Sequence, residues 1–204
     1  MLKAVISLVT LSVSAVLFAQ QSHDEEIKDW QKELNQEFAD PEESPLEKKD
    51  FKKFESLEFF PINEEWRIKA SFEYTPFQKP FTIPTTTDRL PVYVQYGIAR
   101  FEIEGQKFEF PIYQNLEVRE EEEYKDYLFA PFTDLTNGFE TYGGGRYLDL
   151  RIPKGDVIVL DFNKAYNPYC AYSGRYSCPI PPAKNDLALR IDAGVKAWNK
   201  NEKH

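Results

Sequence analysis

The spacing of apolar residues changes along the chain from a helical period to strand alternation. Between residues 22 and 40, apolar side chains recur every three or four positions, at Ile27, Trp30, Leu34 and Phe38. This spacing predicts an amphipathic helix with one buried face.

A second helix start follows closely. Ser44 has the hydroxyl of a capping residue, Pro45 suits the first helical position, and Glu47 can reach back to the cap. We therefore expect a helix from this point to about Glu55.

From Trp66 onward the period becomes two. Residues 66–72 alternate apolar and polar side chains, and residues 92–96 predict a further strand. The clearest hairpin covers residues 101–112, where Gly105 stands first in a two-residue turn and favours type II′ geometry. These segments predict an antiparallel sheet.

Three more strands are predicted towards the C-terminus. They cover residues 148–152 and 157–162, around a Pro-Lys-Gly-Asp turn, and residues 187–191. Four prolines in residues 75–91 indicate a loop or an edge there. The predicted fold class is mainly β: a single antiparallel β barrel-like or sandwich domain with one or two N-terminal helices packed across it.

The chain divides into four predicted segments. Residues 1–19 have a positive start, an apolar run and a small residue, Ala19, for cleavage, which is typical of a signal peptide. Residues 20–43 form the N-terminal helical segment, residues 44–198 the β domain and residues 199–204 a tail. We therefore expect a periplasmic or secreted protein with no integral membrane association after signal cleavage.

The charge balance limits the partners. The net charge of −9 becomes −10 once the signal segment, with its one positive charge, is removed. No basic cluster is present, so we expect no binding to nucleic acid. Histidine occurs only as His23 and His204, and we expect neither in a packed site. This disfavours histidine-based triads and zinc sites, and we expect no metal and no other cofactor.

The chemistry-bearing residues concentrate in residues 131–182. This block holds six of the twelve tyrosines and both cysteines, with Glu, Arg, Asp and Asn among them. Such a mixture is typical of a polar pocket, and tyrosines can stack on a flat ligand while their hydroxyls form hydrogen bonds. The block predicts a site for a small polar ligand. An aromatic mini-core beneath a loop is the alternative interpretation.

Three residues of this block are candidates for acid–base chemistry. Glu140 and Asp161 have apolar or aromatic neighbours, and two such carboxyls close together could act as acid and base. Arg146 could stabilise developing negative charge. It follows three glycines, which indicate either an anion-binding backbone nest or a tight turn. Asp134 is expected to cap a turn, and Asp149 to face solvent on a strand.

Tyrosines and amides supply the candidate ligand contacts. Tyr142, Tyr147 and Tyr166 would form walls and hydroxyl contacts, and Asn163, directly after a buried strand, could orient a ligand. Asn167 precedes a proline, which indicates an Asx turn, and it is a further candidate contact.

Cys170 and Cys178 lie eight residues apart in a proline-flanked loop. In an exported protein this pair predicts a disulfide, and closing so short a loop would stabilise the fold by about 2–3 kcal/mol. A two-thiolate metal site would need further ligands. A redox-active pair usually has the CxxC spacing, which this chain lacks.

Three stretches together resemble the DUF1684 family of bacteria and archaea, a domain of unknown function: SPLEKKDF with LEFFPI, FTDLTNGFETYGGGRYLDL, and DFNKAYNPYCAYSGRYSCPIPP. The resemblance extends from about Trp30 to Trp198 and implies no reaction, because none is established for the family. It implies that both cysteines are family positions, which keeps a thiol or metal role open. Where the family pattern has Ala-Gly-Glu-Lys, this chain has Val195 in place of the glutamate. The family motif matches this chain at Thr133, Asp134, Glu140, Thr141, Tyr142, Gly143, Gly145, Arg146, Tyr147, Asp161, Asn163, Tyr166, Asn167, Pro168, Cys170, Cys178, Pro179, Pro182 and Asn185.

Three function hypotheses follow. The first is a binding module for a small polar ligand. The second is a histidine-free hydrolase or lyase in which Glu140 and Asp161 form the acid–base pair and Arg146 stabilises negative charge. The third is a structural envelope protein that has no site. Convergence of these three residues and Asn163 on one pocket would support a site.

Overall fold

The computed structural model describes residues 21–198, so the predicted signal peptide and the predicted tail lie outside the described residues. The α-helices of this part are α1 (His23–Ala39) and the single-turn α2 (Lys48–Phe51). Its strands are β1 (Arg67–Tyr74), β2 (Phe81–Thr82), β3 (Val92–Ile103), β4 (Gln106–Asn115), β5 (Tyr127–Phe132), β6 (Arg146–Arg151) and β7 (Val157–Asp161).

The strands form one antiparallel sheet in the order β6-β5-β4-β3-β1-β7, with the short β2 paired to β3. Strands β6 and β7 are consecutive in the chain but form opposite edges of the sheet. Residues 152–156 join them. So short a connection spans at most roughly 20 Å, and the sheet must therefore curl to bring its edges together. The result is a half-barrel with one long N-terminal helix, which confirms the predicted fold class.

The sheet buries side chains on both faces because successive residues of a strand point to opposite sides. In β5, Leu128, Ala130 and Phe132 belong to the main core, whereas Phe129 belongs to a second cluster on the other face. The buried residues of this second cluster are Ile83, Tyr93, Tyr113, Phe129 and Tyr147.

Helix α1 packs through the face that the spacing predicts. It begins with a capping box in which the side chains of Ser22 and Glu25 accept hydrogen bonds from each other's backbone N–H groups. Ile27 and Phe38 are buried and Trp30 is half-buried. Within residues 21–198, no helix is both long enough and apolar enough to cross a membrane.

The second predicted helix is shorter than expected. It consists of the single turn of α2, which starts after Ser44 and Pro45 and has no side-chain cap. After α2, turn hydrogen bonds continue only as far as Phe54, whose N–H donates to the Phe51 carbonyl at 3.3 Å, and the N–H of Leu57 then donates to the side chain of Asn35 on α1 at 2.7 Å. Tertiary contacts therefore override the helix start signal here.

Three details of the strands correct the predictions. The hairpin turn has Glu104 and Gly105 at its centre, with φ angles of 50° and 80°, so it is type I′ and not type II′. Residues 187–191 contain a bend and form no strand, although Leu187 and Ile191 are buried. Strand β5 was not predicted because it is buried on both faces and lacks alternation.

Candidate functional site

A cavity of about 450 Å³ lies on the second face of the sheet. Strands β3, β5 and β6 form its floor, α1 forms one wall, and residues 166–179 form the other. Small-molecule sites commonly have volumes of about 300–1,000 Å³, and this cavity falls in that range. Seven aromatic side chains line it: Trp30, Tyr93, Phe129, Tyr147, Tyr166, Tyr169 and Tyr176.

The carboxylate of Asp149 is the principal polar group of the cavity floor. Its Oδ1 atom accepts hydrogen bonds from the hydroxyls of Tyr127 at 2.6 Å and Tyr166 at 2.7 Å. No group among residues 21–198 donates a hydrogen bond to its Oδ2 atom. This second oxygen is therefore left for solvent or a ligand, and the side chain also lines a second cavity.

Strand alternation and register explain this arrangement. Asp149 of β6 is directly paired with Phe129 of β5, so their side chains share one face. Tyr127 lies two residues earlier on β5 and is a diagonal neighbour whose long side chain reaches the carboxylate. Tyr166 is held by two backbone hydrogen bonds to Tyr147, at 2.9 and 3.1 Å, along the edge of β6.

The surroundings of Asp149 alter its acidity. The Asp149 side chain is exposed to solvent in the two cavities that it lines. The protein around those cavities still limits hydration of the carboxyl, and this desolvation raises the pKa of Asp149, whereas the hydroxyls of Tyr127 and Tyr166 and the charge of Arg151 oppose that rise. Burial is also the main cause that raises the pKa of both tyrosines, with Asp149 adding to it, so both hydroxyls remain donors.

Two further charged groups border the cavity. The Tyr169 hydroxyl donates a hydrogen bond to Oε1 of Glu37. Arg89 donates from Nε to the Ser177 hydroxyl at 3.3 Å and from Nη2 to the Ser177 carbonyl at 3.1 Å. The segment of residues 166–179 thus holds both charged side chains in place.

The structure brings two of the predicted ligand contacts into this cavity. Tyr147 and Tyr166 line it, and the Tyr147 hydroxyl also donates to the carbonyl of Pro179. Tyr142 is not part of the lining, and its hydroxyl lies 3.8 Å from the sulfur of Cys170. Burial is the main cause that raises the pKa of Tyr142 to about 12.

The two predicted asparagines hold the chain together outside the cavity. Asn163 accepts a hydrogen bond from the N–H of Asn63 at 3.0 Å and donates to the Asn63 carbonyl at 2.9 Å. Asn167 donates to the Tyr172 hydroxyl at 3.1 Å and to the Lys196 carbonyl at 2.8 Å. Both amides are buried, and their contacts assign them to the scaffold.

Arg146 lies on the opposite face of β6 and is 0% exposed. Its Nη2 donates to Oδ1 of Asp134 at 3.1 Å and to the Ile191 carbonyl at 2.9 Å, and its Nη1 donates to the Ala193 carbonyl. Burial lowers the pKa of Arg146, and the Asp134 charge opposes that shift. Arg146 therefore fastens the C-terminal segment to the sheet and cannot reach the cavity.

The glycine run before Arg146 forms a tight turn. The N–H of Gly145 donates to the carbonyl of Tyr142 at 3.1 Å. Gly145 has a φ angle of 91°, and a Cβ atom there would lie 2.5 Å from the carbonyl oxygen of Phe132. The position needs glycine for close backbone packing, and the turn is the alternative that the structure favours over an anion nest.

Glu140 and Asp161 lie in different surroundings. Glu140 is exposed and pairs with Arg190 at 2.7 Å, and this pairing lowers the pKa of Glu140. Asp161 lines the second cavity, of about 260 Å³, which lies between β6, β7 and α1. Glu140, Asp161 and Arg146 therefore share no pocket, and the geometry gives no support to an acid–base site built from them.

His23 corrects the expectation that it lies outside any packed site. Only 8% of its side-chain surface is exposed, and its Nε2 atom lies 2.7 Å from Oδ2 of Asp161. Lys164 forms a second contact to α1, with its Nζ 2.5 Å from Oε1 of Glu26. The two contacts fix the first turn of α1 to the end of β7.

Both cysteines are free thiols in the structure, and they lie in contact. The N–H of Cys170 donates to the sulfur of Cys178 at 3.1 Å. A hydrogen bond from the Cys178 thiol is the main influence that lowers the pKa of Cys170 to about 6, and the same contact raises the pKa of Cys178. Cys178 also lines the aromatic cavity. The disulfide stays a prediction.

No group of three or more His, Cys, Asp or Glu side chains among residues 21–198 is arranged to hold a metal ion. The two thiols therefore lack nearby ligands of these types in the described part of the chain, and the structure offers no support for the metal role that the family resemblance left open.

Sequence reasoning missed Asp149 as a site residue. Its place on a strand predicted a solvent-facing carboxylate, and the side chain is exposed, but it lines a cavity that α1 and residues 166–179 also border. The available signal was the pair Tyr147 and Asp149, because two residues separated by one position on a strand share a face. Trp30 and Glu37 were also missed as site residues. They are seven positions apart on α1 and lie on the same side of the helix.

Comparison with known proteins identifies the family. The DUF1684 family model, described as "Protein of unknown function", matches residues 52–196, and the chain therefore belongs to this family. The chain is similar to the solution NMR structure of the uncharacterized protein from gene locus rrnAC0354 of Haloarcula marismortui. The TM-score is 0.64 at 31% identity, and the match covers 85% of this chain and 97% of that chain. No curated protein matches.

Proposed function

We propose that this DUF1684 protein binds a small polar organic ligand in the aromatic cavity on the second face of its sheet. The observation that carries the proposal is the Asp149 carboxylate. One of its oxygens is oriented by the hydroxyls of Tyr127 and Tyr166, and the other has no donor among the described residues. The Asp149 side chain is exposed where it lines the cavity, so this second oxygen is accessible to a ligand.

The rest of the cavity supports the same proposal. Polar groups placed among aromatic walls are typical of small-molecule sites, because the walls supply contact area while the polar groups fix the ligand's orientation. The Tyr147 hydroxyl donates to the Pro179 carbonyl and the Tyr169 hydroxyl to Glu37. These bonds position the walls before a ligand arrives, which lowers the entropy lost on binding.

The substitution Asp149→Asn tests the site. Asparagine has the same shape, and its carbonyl oxygen can still accept from Tyr127 and Tyr166, so we expect the fold to remain. The purified protein and the variant are screened against a library of polar metabolites by thermal shift, since a ligand that binds the native state raises the apparent stability. We expect at least one compound that stabilises the protein and stabilises the variant less.

The matched control is Asp156→Asn. Asp156 is exposed in the turn between β6 and β7, outside the lining of both cavities, and this variant should respond to the library like the unchanged protein. The proposal is wrong if no compound stabilises the protein, or if both variants respond equally to every compound that does. A structural envelope role would give the first of these results.

Export is the second part of the proposal. The signal-like composition of residues 1–19 supports it. We expect the protein in the periplasmic or secreted fraction, with a new N-terminus at or within a few residues of Gln20. Fractionation of the producing cells locates the protein, and N-terminal sequencing identifies the cleavage site. Intact N-terminal residues in the cytoplasmic fraction would contradict export.

In an oxidising compartment we further propose a disulfide between Cys170 and Cys178, which the contact of the two residues supports. Both thiols lose their hydrogens, and an external protein disulfide is reduced to a dithiol in exchange. Protein purified from that compartment without reductant should have a mass two hydrogens below the reduced mass. Reduction should lower its free energy of unfolding by about 2–3 kcal/mol. A fully reduced mass would contradict the disulfide.

A further inference from the structure

The charged groups of the cavity are predominantly negative. Its lining includes two carboxylates, Glu37 on α1 and Asp149 on β6, and one cation, Arg89. Asp149 accepts two tyrosine hydroxyls on one oxygen, and Glu37 accepts one. Among residues 21–198, no group donates a hydrogen bond to the other oxygen of either carboxylate. The guanidinium of Arg89 is already bonded to Ser177 through two nitrogens. The unused hydrogen-bonding capacity of the carboxylates is therefore available for positive charge or for N–H and O–H donors.

The aromatic walls also favour a positively charged ligand. The face of an aromatic ring has a negative electrostatic potential, which attracts ammonium groups, and rings arranged around a cation are a known solution for binding quaternary ammonium ligands. Seven of the lining side chains are aromatic, from Trp30 on α1 to Tyr176 in the wall of residues 166–179. The net charge of −9 adds a long-range attraction for cations.

We infer that the ligand of this cavity is an organic cation whose ammonium group lies against Asp149 and Glu37 and between the aromatic walls. This inference rests on the proposed function, because it assigns a chemical class to the ligand of the same site. It also accounts for two carboxylates that border the same aromatic cavity, each with one oxygen to which no described residue donates.

Other ligand classes fit these groups less well. An organic anion would have to approach two carboxylates, and the engaged guanidinium of Arg89 is the only cation among the described residues that line the cavity. A neutral sugar could stack on the tyrosines and donate hydroxyl hydrogen bonds to Asp149, but it would leave the negative charge without compensation. Comparing a cation with an uncharged analogue of the same shape therefore tests whether the cavity prefers a positive charge or a neutral ligand.

The experiment is a set of titrations with matched probes, measured by isothermal titration calorimetry on the full exported protein. Choline is compared with neohexyl alcohol, in which carbon replaces the charged nitrogen, and phenethylamine is compared with phenethyl alcohol. Glucose and phenylacetate represent the neutral sugar and the anion. We expect at least one of the two cations to bind, and at least tenfold more tightly than its uncharged partner.

The variants Asp149→Asn and Glu37→Gln assign the effect to the site. Each should weaken binding of the cation at least tenfold while leaving the weak binding of the uncharged partner unchanged. Asp156→Asn should bind the cation like the unchanged protein, and circular dichroism confirms that each variant is folded. Equal affinity of Asp149→Asn and the unchanged protein for the cation would overturn the assignment.

Two other results separate the inference from the proposed function. If glucose, phenylacetate or an uncharged partner binds as tightly as the cations or more tightly, and Asp149→Asn weakens it, the inference is wrong and the binding function stands. If none of these probes binds and the metabolite library also yields no ligand, both are wrong.

Discussion

Two of the charged side chains of strand β6, Arg146 and Asp149, lie three positions apart and have opposite surroundings. Arg146 is buried on the face of the sheet that carries the main core, where its guanidinium donates hydrogen bonds to Asp134 and to two backbone carbonyls. Asp149 lies on the other face, where two hydroxyls engage one of its oxygens and a cavity adjoins the other. Arg146 is fully buried, whereas Asp149 is exposed, but exposure alone does not mark a binding group. The free oxygen and the access to a cavity do.

The largest expected effect is on the Arg146 side of this comparison. The substitution Arg146→Met would leave Asp134 buried without its cation and remove the bonds to the C-terminal segment. Loss of one partner of a buried ion pair costs about 3–5 kcal/mol. We expect that decrease in the free energy of unfolding, measured by urea denaturation. A decrease as small as that of an exposed substitution would mean that Arg146 does not anchor the segment.

The second prediction concerns the pH dependence of ligand affinity at Asp149. If an organic cation occupies the cavity, it needs the ionised carboxylate, and burial raises the pKa of Asp149. Affinity should therefore be constant above that pKa and fall about tenfold for each pH unit below it. The groups that face this carboxyl are Tyr127, Tyr166 and Arg151, and Glu37 shares its cavity. Titrations of choline at a series of pH values measure the midpoint.

Asp149→Asn is the control for this pH dependence, because it removes the titrating group and should give a flatter profile. An unchanged profile would assign the dependence to Glu37 instead. A midpoint at the ordinary aspartate pKa of about 3.9 would show that burial has little influence on this carboxyl.

Removal of one tyrosine hydroxyl should have a smaller effect. Tyr127→Phe and Tyr166→Phe each delete one hydrogen bond to Asp149 and should lower the free energy of unfolding by about 1 kcal/mol. Both hydroxyls favour the ionised carboxylate, so their loss should move the midpoint of cation binding to higher pH. Tyr176→Phe is a comparison variant at a cavity wall whose hydroxyl contacts Arg175. An unchanged midpoint in both variants would contradict the proposed orientation of the carboxylate.

The smallest effect is expected at Glu140. Its pair with Arg190 is exposed to solvent on both sides, and such pairs contribute little because water solvates the separated charges well. Glu140→Gln should leave the urea midpoint and the affinity for choline unchanged. A loss of affinity would show that Glu140 acts on the cavity despite its distance from the lining.

Sequence patterns predicted the parts of the fold that are buried on one side only. The helical spacing of Ile27 and Phe38 and the alternation along β1 follow directly from one-sided burial. Strand β5 is buried on both faces, so its sequence Leu128 to Phe132 has no alternation to detect. The second helix ends shortly before the chain bonds to Asn35 of α1, a tertiary contact that no local pattern contains.

The candidate site was predictable only in part. The mixture of aromatic and polar residues in the tyrosine-rich block singled out Tyr147 and Tyr166, and both line the cavity. The importance of Asp149 depends on partners 22 and 17 positions away, and on a helix that borders the same cavity. The glycines before Arg146 suggested either a nest or a turn, and the hydrogen bond of Gly145 to Tyr142 and its close packing against Phe132 decided between them.

The wall that α1 contributes links the cavity to the N-terminus of the folded chain. Trp30, Leu34 and Glu37 border the cavity, so a bound molecule would touch both the helix and the sheet. The free energy of binding would then equally oppose detachment of the helix, because linkage is reciprocal. A ligand would thus slow proteolysis and amide exchange along α1. Mechanical tension that pulls α1 away from the sheet would, in turn, open the cavity and release the ligand.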